Sequence, residues 1–287
     1  MSDTHPSLNR KVLLFLSVDI VGSTEYKNKS ETQNNWLRFF TTFYKDFPIT
    51  FYKKFEEINN PNLQKPEIWK SLGDELIFRV EITDHISAKD TVRAFSQALF
   101  SYSLSIRTTS LALKGSAWIA GFPVINAEIY SDEEGKQVVD YIGPQMDIGF
   151  RISKFASEYK FIISIELLLL LSATTDSYFK FFLEEPQILK GVLKNRPYPI
   201  IWMKNENAVE NNLFKLLNKH NEECKTAELN DYCKSFLNSA GKPFMIPFLK
   251  FDSLFNELPF WYEEELKNIQ EVLTSNEDNF GEENLRD

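Results

Sequence analysis

The sequence predicts an α/β sandwich of the split β-α-β type, followed by a helical extension. Three observations carry this reading. Strand-like and helix-like stretches succeed one another in the order β-α-β-β-α-β, with extra strands, as far as Lys204. Hydrophobic residues make up 43% of the 287 and aromatic residues 14%, with 25 Phe among them, so a packed core is well supplied and bulk disorder is excluded. Beyond Lys204 the composition turns polar with a helical period, which sets a boundary near residue 205. The length fits one large domain with an appendage.

Taken in order, Lys11 to Val18 is apolar, rich in β-branched and aromatic residues and too short for a helix, so it reads as a buried strand ending near Asp19. Residues 30–58 space Trp36, Phe39, Phe40, Phe43, Phe47 and Phe51 as an amphipathic helix does, with Pro48 expected to kink or break it. "PEIWKSLGDELIFRVEI" is a hairpin with its turn at Gly73-Asp74. Residues 87–106 are helical, and "TTSLALKGSAWIAGFPVI" is a long strand bent at Gly121-Phe122-Pro123. The acidic "NAEIYSDEEGK" reads as a loop leading to a strand that ends near Tyr141. Gly143-Pro144 then opens a helix to about Ser157. A strand at 161–164 runs into its own helix, and two strands follow around 178–184 and 198–204. The acidic end, "SNEDNFGEENLRD", is expected to fray.

Composition excludes several classes of function. Forty-one acids against 32 bases give a net charge of −9, which argues against a nucleic-acid surface and requires anions to be bound locally. Cys224 and Cys233 form no CxxC, and with three His in the chain neither a zinc site nor a disulfide framework is expected. The longest apolar run, "FIISIELLLLLSA", contains Glu166 and falls short of the roughly 20 residues a membrane helix needs. No signal pattern opens the chain, so the expectation is a cytoplasmic protein without membrane or nucleic-acid partners.

Two acids stand at strand ends beside small residues: Asp19 in "FLSVDIVGST" and Asp74 in "WKSLGDELIF". Carboxylates that converge on one point suit Mg²⁺ or Mn²⁺, which take oxygen ligands and leave room for phosphate oxygens. Glycines beside them let a triphosphate approach the backbone amides of Val21, Gly22, Ser23 and Thr24. Either acid alone is equally a helix cap or a turn residue.

Together with "DYIGPQMDIGFR", these segments resemble the class III nucleotidyl cyclases. "FLSVDIVGST" is similar to their first metal-binding motif and "WKSLGDELIF" to the hairpin that carries the second metal-binding Asp. "DYIGPQMDIGFR" is similar to the family's D-x-W-G-x-x-V-N-x-A-x-R segment. The resemblance spans residues 8–204 and implies a ferredoxin-like, palm-type α+β domain with a mostly antiparallel central sheet, leaving 205–287 as the helical extension.

What the resemblance implies is specific. Asp19, Asp74 and the carbonyl of Ile20 would bind two divalent ions, Mn²⁺ or Mg²⁺. Lys70 and Asp140 would face the base, and Arg151 would meet the charge developing on the α-phosphate. Active sites would form across a head-to-tail homodimer, so that one chain holds the metals and its partner supplies the base-reading and transition-state groups. Asp147 stands where the family has Asn, a departure that adds negative charge near a triphosphate, with Arg151 as one candidate to compensate. A second departure is the strand "LALKGSAWIAGFP", which carries Lys114-Gly115 and Trp118 in place of an R-x-G-x-H-x-G pattern.

Those departures, with Trp69 directly before Lys70, are most similar to the bacterial Pycsar antiphage cyclases, which make cyclic pyrimidine nucleotides. The implied reaction is UTP or CTP to cUMP or cCMP and pyrophosphate, the product being read by a separate effector. Bulk at Trp69 would exclude the second ring of a purine, although Trp69 and Trp118 equally suit an ordinary core. The other readings left open are an adenylate or guanylate cyclase and a catalytically silent nucleotide-binding dimerisation module. The sequence assigns no role to His5, His85 or His220.

Overall fold

The computed structural model describes residues 8–30, 32–133, 136–174, 178–205 and 223–283. Its first strand, β1 (Lys11–Val21), is hydrogen-bonded on both edges and buried on both faces, which is why its apolar run is nearly continuous. β1 lies between β3 (Glu75–Ile82) and β4 (Ala112–Phe122), antiparallel to both. β2 (Glu67–Leu72) pairs with β3 and forms one edge of the sheet. β7 (Phe161–Ile163), β9 (Pro197–Asn205) and β8 (Phe179–Ile188) complete it, giving seven strands in the order β2-β3-β1-β4-β7-β9-β8. The β4–β7 pair is parallel and the others antiparallel, as the expected split β-α-β domain requires.

Alternation along β1 divides the core. Val12, Leu14, Leu16, Val18 and Ile20 face α2 (Gln33–Glu56) and α3 (His85–Ser105) within one large cluster. Leu13 and Phe15 face the other way, joining Ile77, Trp118, Phe122, Tyr141 and Met146. This second layer is covered by α4 (Pro144–Ile152) and by a ribbon of β5 (Ala127–Glu133) and β6 (Lys136–Ile142). Short helix α1 (Ser23–Lys29) follows β1, and α5 (Ile165–Leu171), buried throughout with Glu166, follows β7.

Two expectations are corrected. Pro48 does not break α2, which runs from Gln33 to Glu56. Proline inside a helix costs about 3 kcal/mol, but Phe43, Phe47, Phe51 and Phe55 recur every fourth residue on its buried face. Each contributes about 1.5–3 kcal/mol on burial, and that sum outweighs the proline. The acidic "NAEIYSDEEGK" is not all loop, because Ala127–Glu133 forms β5. Its pattern is disguised by Glu128, a buried acid that Lys11 pairs at 2.8 Å and to which the Tyr130 hydroxyl donates at 3.0 Å.

Glycine is required at two positions of the second layer. A Cβ on Gly149 would lie 2.4 Å from the Trp118 ring, and one on Gly143 would lie 2.5 Å from Asn126 Oδ1, where φ is also +142°. Trp118 itself is fully buried and stacked on Phe15 at 5.5 Å, so of its two sequence readings the structure takes core packing.

The extension packs back onto this core. Leu229, Cys233, Phe236 and Leu237 of α6 (Thr226–Ala240) join the large cluster, as do Leu249 and Phe255. At the start of α7 (Tyr262–Glu283) the Tyr262 hydroxyl donates to the Phe122 carbonyl at 3.3 Å. α7 takes the acidic end of the sequence into helix as far as Glu283. The buried Asp252 accepts the backbone N–H of His85 at 2.6 Å and that of Leu254 at 2.8 Å, and lies 2.6 Å from the His85 ring. His85 therefore anchors the extension to the start of α3, while His5 and His220 lie outside the described residues. Among the described residues no helix is long and apolar enough to cross a membrane.

Two stability measurements follow. Gly149→Ala should cost about 1–3 kcal/mol in urea unfolding, because the new methyl forces the Trp118 layer apart. Burial alone would raise the Asp252 carboxyl, but the Leu254 and His85 N–H groups and the His85 ring hold it below the usual range. A depressed acid stabilises the fold above its unfolded pKa of about 4 and loses that contribution as pH falls. Asp252→Asn should therefore cost about 1–3 kcal/mol at neutral pH. The gap to the unmodified chain should narrow in melts taken below about pH 4.

Candidate active site

The strand register builds the site. Asp19 lies directly opposite Glu75 of β3 on one side and Lys114 of β4 on the other. Side chains two apart share a face, so Ser17, Asp19, Glu75, Lys114 and Ser116 continue the surface that Phe15, Ile77 and Trp118 form further along. The face thus changes from aromatic to charged towards one end of the three central strands. There it lines a cavity of about 260 Å³, closed on the other side by Phe150, Ser153 and Lys154.

Charge in this cavity is closely balanced. Lys114 Nζ stands 2.9 Å from Asp19 Oδ2, and both side chains are about three-quarters buried. The Ser17 hydroxyl donates to Glu75 Oε1 at 2.5 Å. Burial, with the charges of Asp19 and Asp74, pushes the Glu75 carboxyl up, while Ser17 and Lys114 oppose the shift. The Ser116 hydroxyl is buried and has no hydrogen-bond partner among the described residues.

Asp74 is delivered by the β2–β3 turn, where Gly73 takes φ +66°. Tyr44 of α2 donates its hydroxyl to the Gly73 carbonyl and pins the turn. Burial, and then the charge of Asp74, raise that phenol. The β1–β3 ladder ends at Asp19–Glu75 whereas the β1–β4 ladder continues to Val21, so Ile20 and Val21 are paired on one side only. Gly22, at φ +82°, then turns the chain into α1, whose first residues are Ser23 and Thr24.

A second group lies at the β2 edge. Lys70 Nζ is 2.7 Å from both carboxylate oxygens of Asp140 on β6. A bulge between Ile68 and Lys70 inserts Trp69, turning its ring into the aromatic layer against Phe15, Tyr141 and Phe150. The Trp69 indole N–H donates to the Val139 carbonyl at 3.0 Å. On α4, Arg151 donates to the Asp147 carboxylate at 2.8 Å and to the Lys190 carbonyl at 2.7 Å. The negative charge at position 147 is therefore met by Arg151 within one turn of helix.

The structure brings together Asp19 with Glu75 and Lys114, Lys70 with Asp140, and Asp147 with Arg151, while Asp74, on the turn before Glu75, does not line the Asp19 cavity. Sequence reasoning passed over Glu75, Ser17 and Ser116 and gave Lys114 no place in the site. The missed signal is parity, since Ser17 and Asp19 alternate in step with Phe15, and Lys114 and Ser116 with Trp118. Among the described residues no cluster of three or more His, Cys, Asp or Glu stands in metal-holding geometry. The donor chemistry nonetheless fits a hard cation: oxygen groups only, with an ammonium already seated on Asp19 and an orphaned hydroxyl beside it.

The fold is that of the class III nucleotidyl cyclase catalytic domain. The adenylyl cyclase CyaB from P. aeruginosa matches with a TM-score of 0.55 at 14% identity, over 71% of this chain and 98% of that one. The guanylyl cyclase Cya2 matches at 0.51 and 13% identity, over 69% and 93%. The guanylate cyclase domain of RhGC from Catenaria anguillulae, solved with GTP, matches at 0.52 and 10% identity, over 69% and 98%. At such identities the likeness is one of fold. No family model and no curated protein matches the sequence.

Proposed function

We propose that the chain is a pyrimidine nucleotide cyclase, converting UTP or CTP to the cyclic 3′,5′-monophosphate and pyrophosphate at sites shared across a homodimer. Residues 8–204 would form the cyclase domain and 205–287 the extension that braces it. The observation that carries the reading is the charged cavity at the end of β1, in the cyclase fold, where Asp19 meets Glu75 and Lys114, with Asp74 on the turn just before Glu75.

In this reading Asp19, Asp74 and the Ile20 carbonyl hold the divalent ions, and the backbone from Gly22 to Thr24 approaches the phosphates. Bound there, two ions would lower the pKa of the ribose 3′-hydroxyl and neutralise the leaving pyrophosphate. Lys70 and Asp140 hydrogen-bond the base edge, one donating and one accepting. Trp69, fixed by the Val139 carbonyl and three neighbouring rings, cannot swing aside for a second base ring, which supports a pyrimidine. Arg151 supplies charge to the α-phosphate after leaving its contacts with Asp147 and Lys190.

A second copy of the chain has a surface to meet. Edge strand β2 exposes Ile68 and Leu72 beside Lys70, and the β5–β6 ribbon exposes Ile129, Val138 and Ile142 beside Asp140. A second messenger made in antiphage defence and read by a separate effector is supported by the sequence resemblance to Pycsar cyclases. The second reading, an adenylate or guanylate cyclase, is favoured by the solved structures that share the fold.

Incubation with each of the four nucleoside triphosphates and Mn²⁺ separates these readings. UTP or CTP should be cyclised, and turnover of ATP or GTP alone would remove the pyrimidine assignment. Asp74→Ala should lower turnover at least about 10²-fold while the melting curve stays close to that of the unmodified chain. Mixing Asp74→Ala with Arg151→Ala chains should restore part of the activity, because one composite site then keeps both groups. Demonstrated heterodimers without recovery would overturn the shared site.

A further inference from the structure

We propose that Lys114 acts as an exchangeable cation, holding Asp19 while the site is empty and transferring to the polyphosphate when metal and nucleotide enter together. The inference rests on the reading of Asp19 as a metal ligand and adds a residue to it.

The geometry gives Lys114 two jobs that conflict. Its ammonium lies 2.9 Å from Asp19 Oδ2, on the side of the strand facing the cavity. Asp19 and Glu75 are directly opposed on neighbouring strands, a like-charge pairing that destabilises a sheet. One ammonium facing both Asp19 and Glu75, in a cavity whose side chains are largely buried, is a substantial neutralising charge. The same ammonium occupies an oxygen that a divalent ion would need, so an ion arriving alone must displace it and leave it near another cation.

A polyphosphate changes that balance. Its oxygens offer Lys114 a stronger acceptor than one shared carboxylate, and the flexible lysine stem lets the ammonium move without shifting the strand. Lys114 is opposite Asp19 in register, so the movement is a pivot of its side chain within the cavity they share. Metal alone is thus disfavoured and metal with polyphosphate favoured by the same residue. That is a coupling between two ligands, and such couplings typically amount to about 5- to 150-fold in affinity.

Lys114→Met keeps the apolar stem and removes the charge, and Lys114→Gln provides a second variant of similar length should the first fold poorly. Mn²⁺ binding without nucleotide is read from free Mn²⁺ by electron paramagnetic resonance, and binding of the Mn²⁺–tripolyphosphate complex by calorimetry. The expected pattern is a crossing: about tenfold tighter Mn²⁺ alone, and about tenfold weaker Mn²⁺–tripolyphosphate, than in the unmodified chain. A residue that merely supports the fold would weaken both, and that result, or no change in either, overturns the proposal. Asp19→Asn is the separate control for the metal reading itself. If the unmodified chain binds Mn²⁺–tripolyphosphate no better than Asp19→Asn does, the metal site fails; if Asp19 matters and Lys114 does not, only the exchange fails.

Discussion

The register of β1 between β3 and β4 is the constraint on which the rest depends. A slip of one residue would turn every side chain of β1 to the opposite face, moving Asp19 from the charged cavity into the phenylalanine layer under α2 and α3. The buried row Val12, Leu14, Leu16, Val18 and Ile20 prevents this, since each would have to leave a packed site. At about 1.5–3 kcal/mol per buried side chain, the apolar row outweighs the electrostatic cost of setting Asp19 against Glu75. The core thus fixes where the acids go, and the acids have to be neutralised where they are put.

That neutralisation recurs at each proposed group: Asp19 with Lys114, Asp140 with Lys70, Asp147 with Arg151. The more exposed pairs, Asp140–Lys70 and Asp147–Arg151, contribute little to stability, about 0–1 kcal/mol, so their value lies elsewhere. A side chain held by its pair is already oriented, and giving up a half-exposed partner for a ligand costs little. Asp147 illustrates the point. Judged from sequence it was an unwelcome charge near a triphosphate; in the structure it sets the position of Arg151, which also reaches the Lys190 carbonyl.

Most of the fold was legible because it rests on local signals. A short apolar, β-branched run gave β1, two such runs about Gly73-Asp74 gave the hairpin, helical spacing gave α2, and Gly143-Pro144 gave the start of α4. What was not legible depended on pairing between distant segments. β5 was hidden because Glu128, an acid in an acidic stretch, is buried against Lys11, which lies more than a hundred residues earlier. Pro48 misled because its cost is local while the compensating phenylalanine contacts are tertiary. In the site, Asp19 and Asp74 were marked by neighbouring glycines and by motif order. Glu75 and Lys114 carry no such mark and become visible only when the register sets them opposite Asp19.

The extension follows the same logic from the other end of the chain. It caps α3 through Asp252 and His85, meets the Phe122 carbonyl through Tyr262 and fills the core beside α5 with Leu229, Cys233, Phe236 and Leu237. Phe122 ends β4, the strand that carries Lys114, Ser116 and Trp118. Tyr262 therefore grips β4 at the end away from the acids, while Lys114 lies at the end that meets them. β4 is held by Tyr262 at one end, packed along its middle by Trp118 against Phe15 and paired with β1 as far as Ala112 at the other, so its side chains can move more readily than the strand. The proposed exchange therefore asks only for movement of the Lys114 side chain above this sheet.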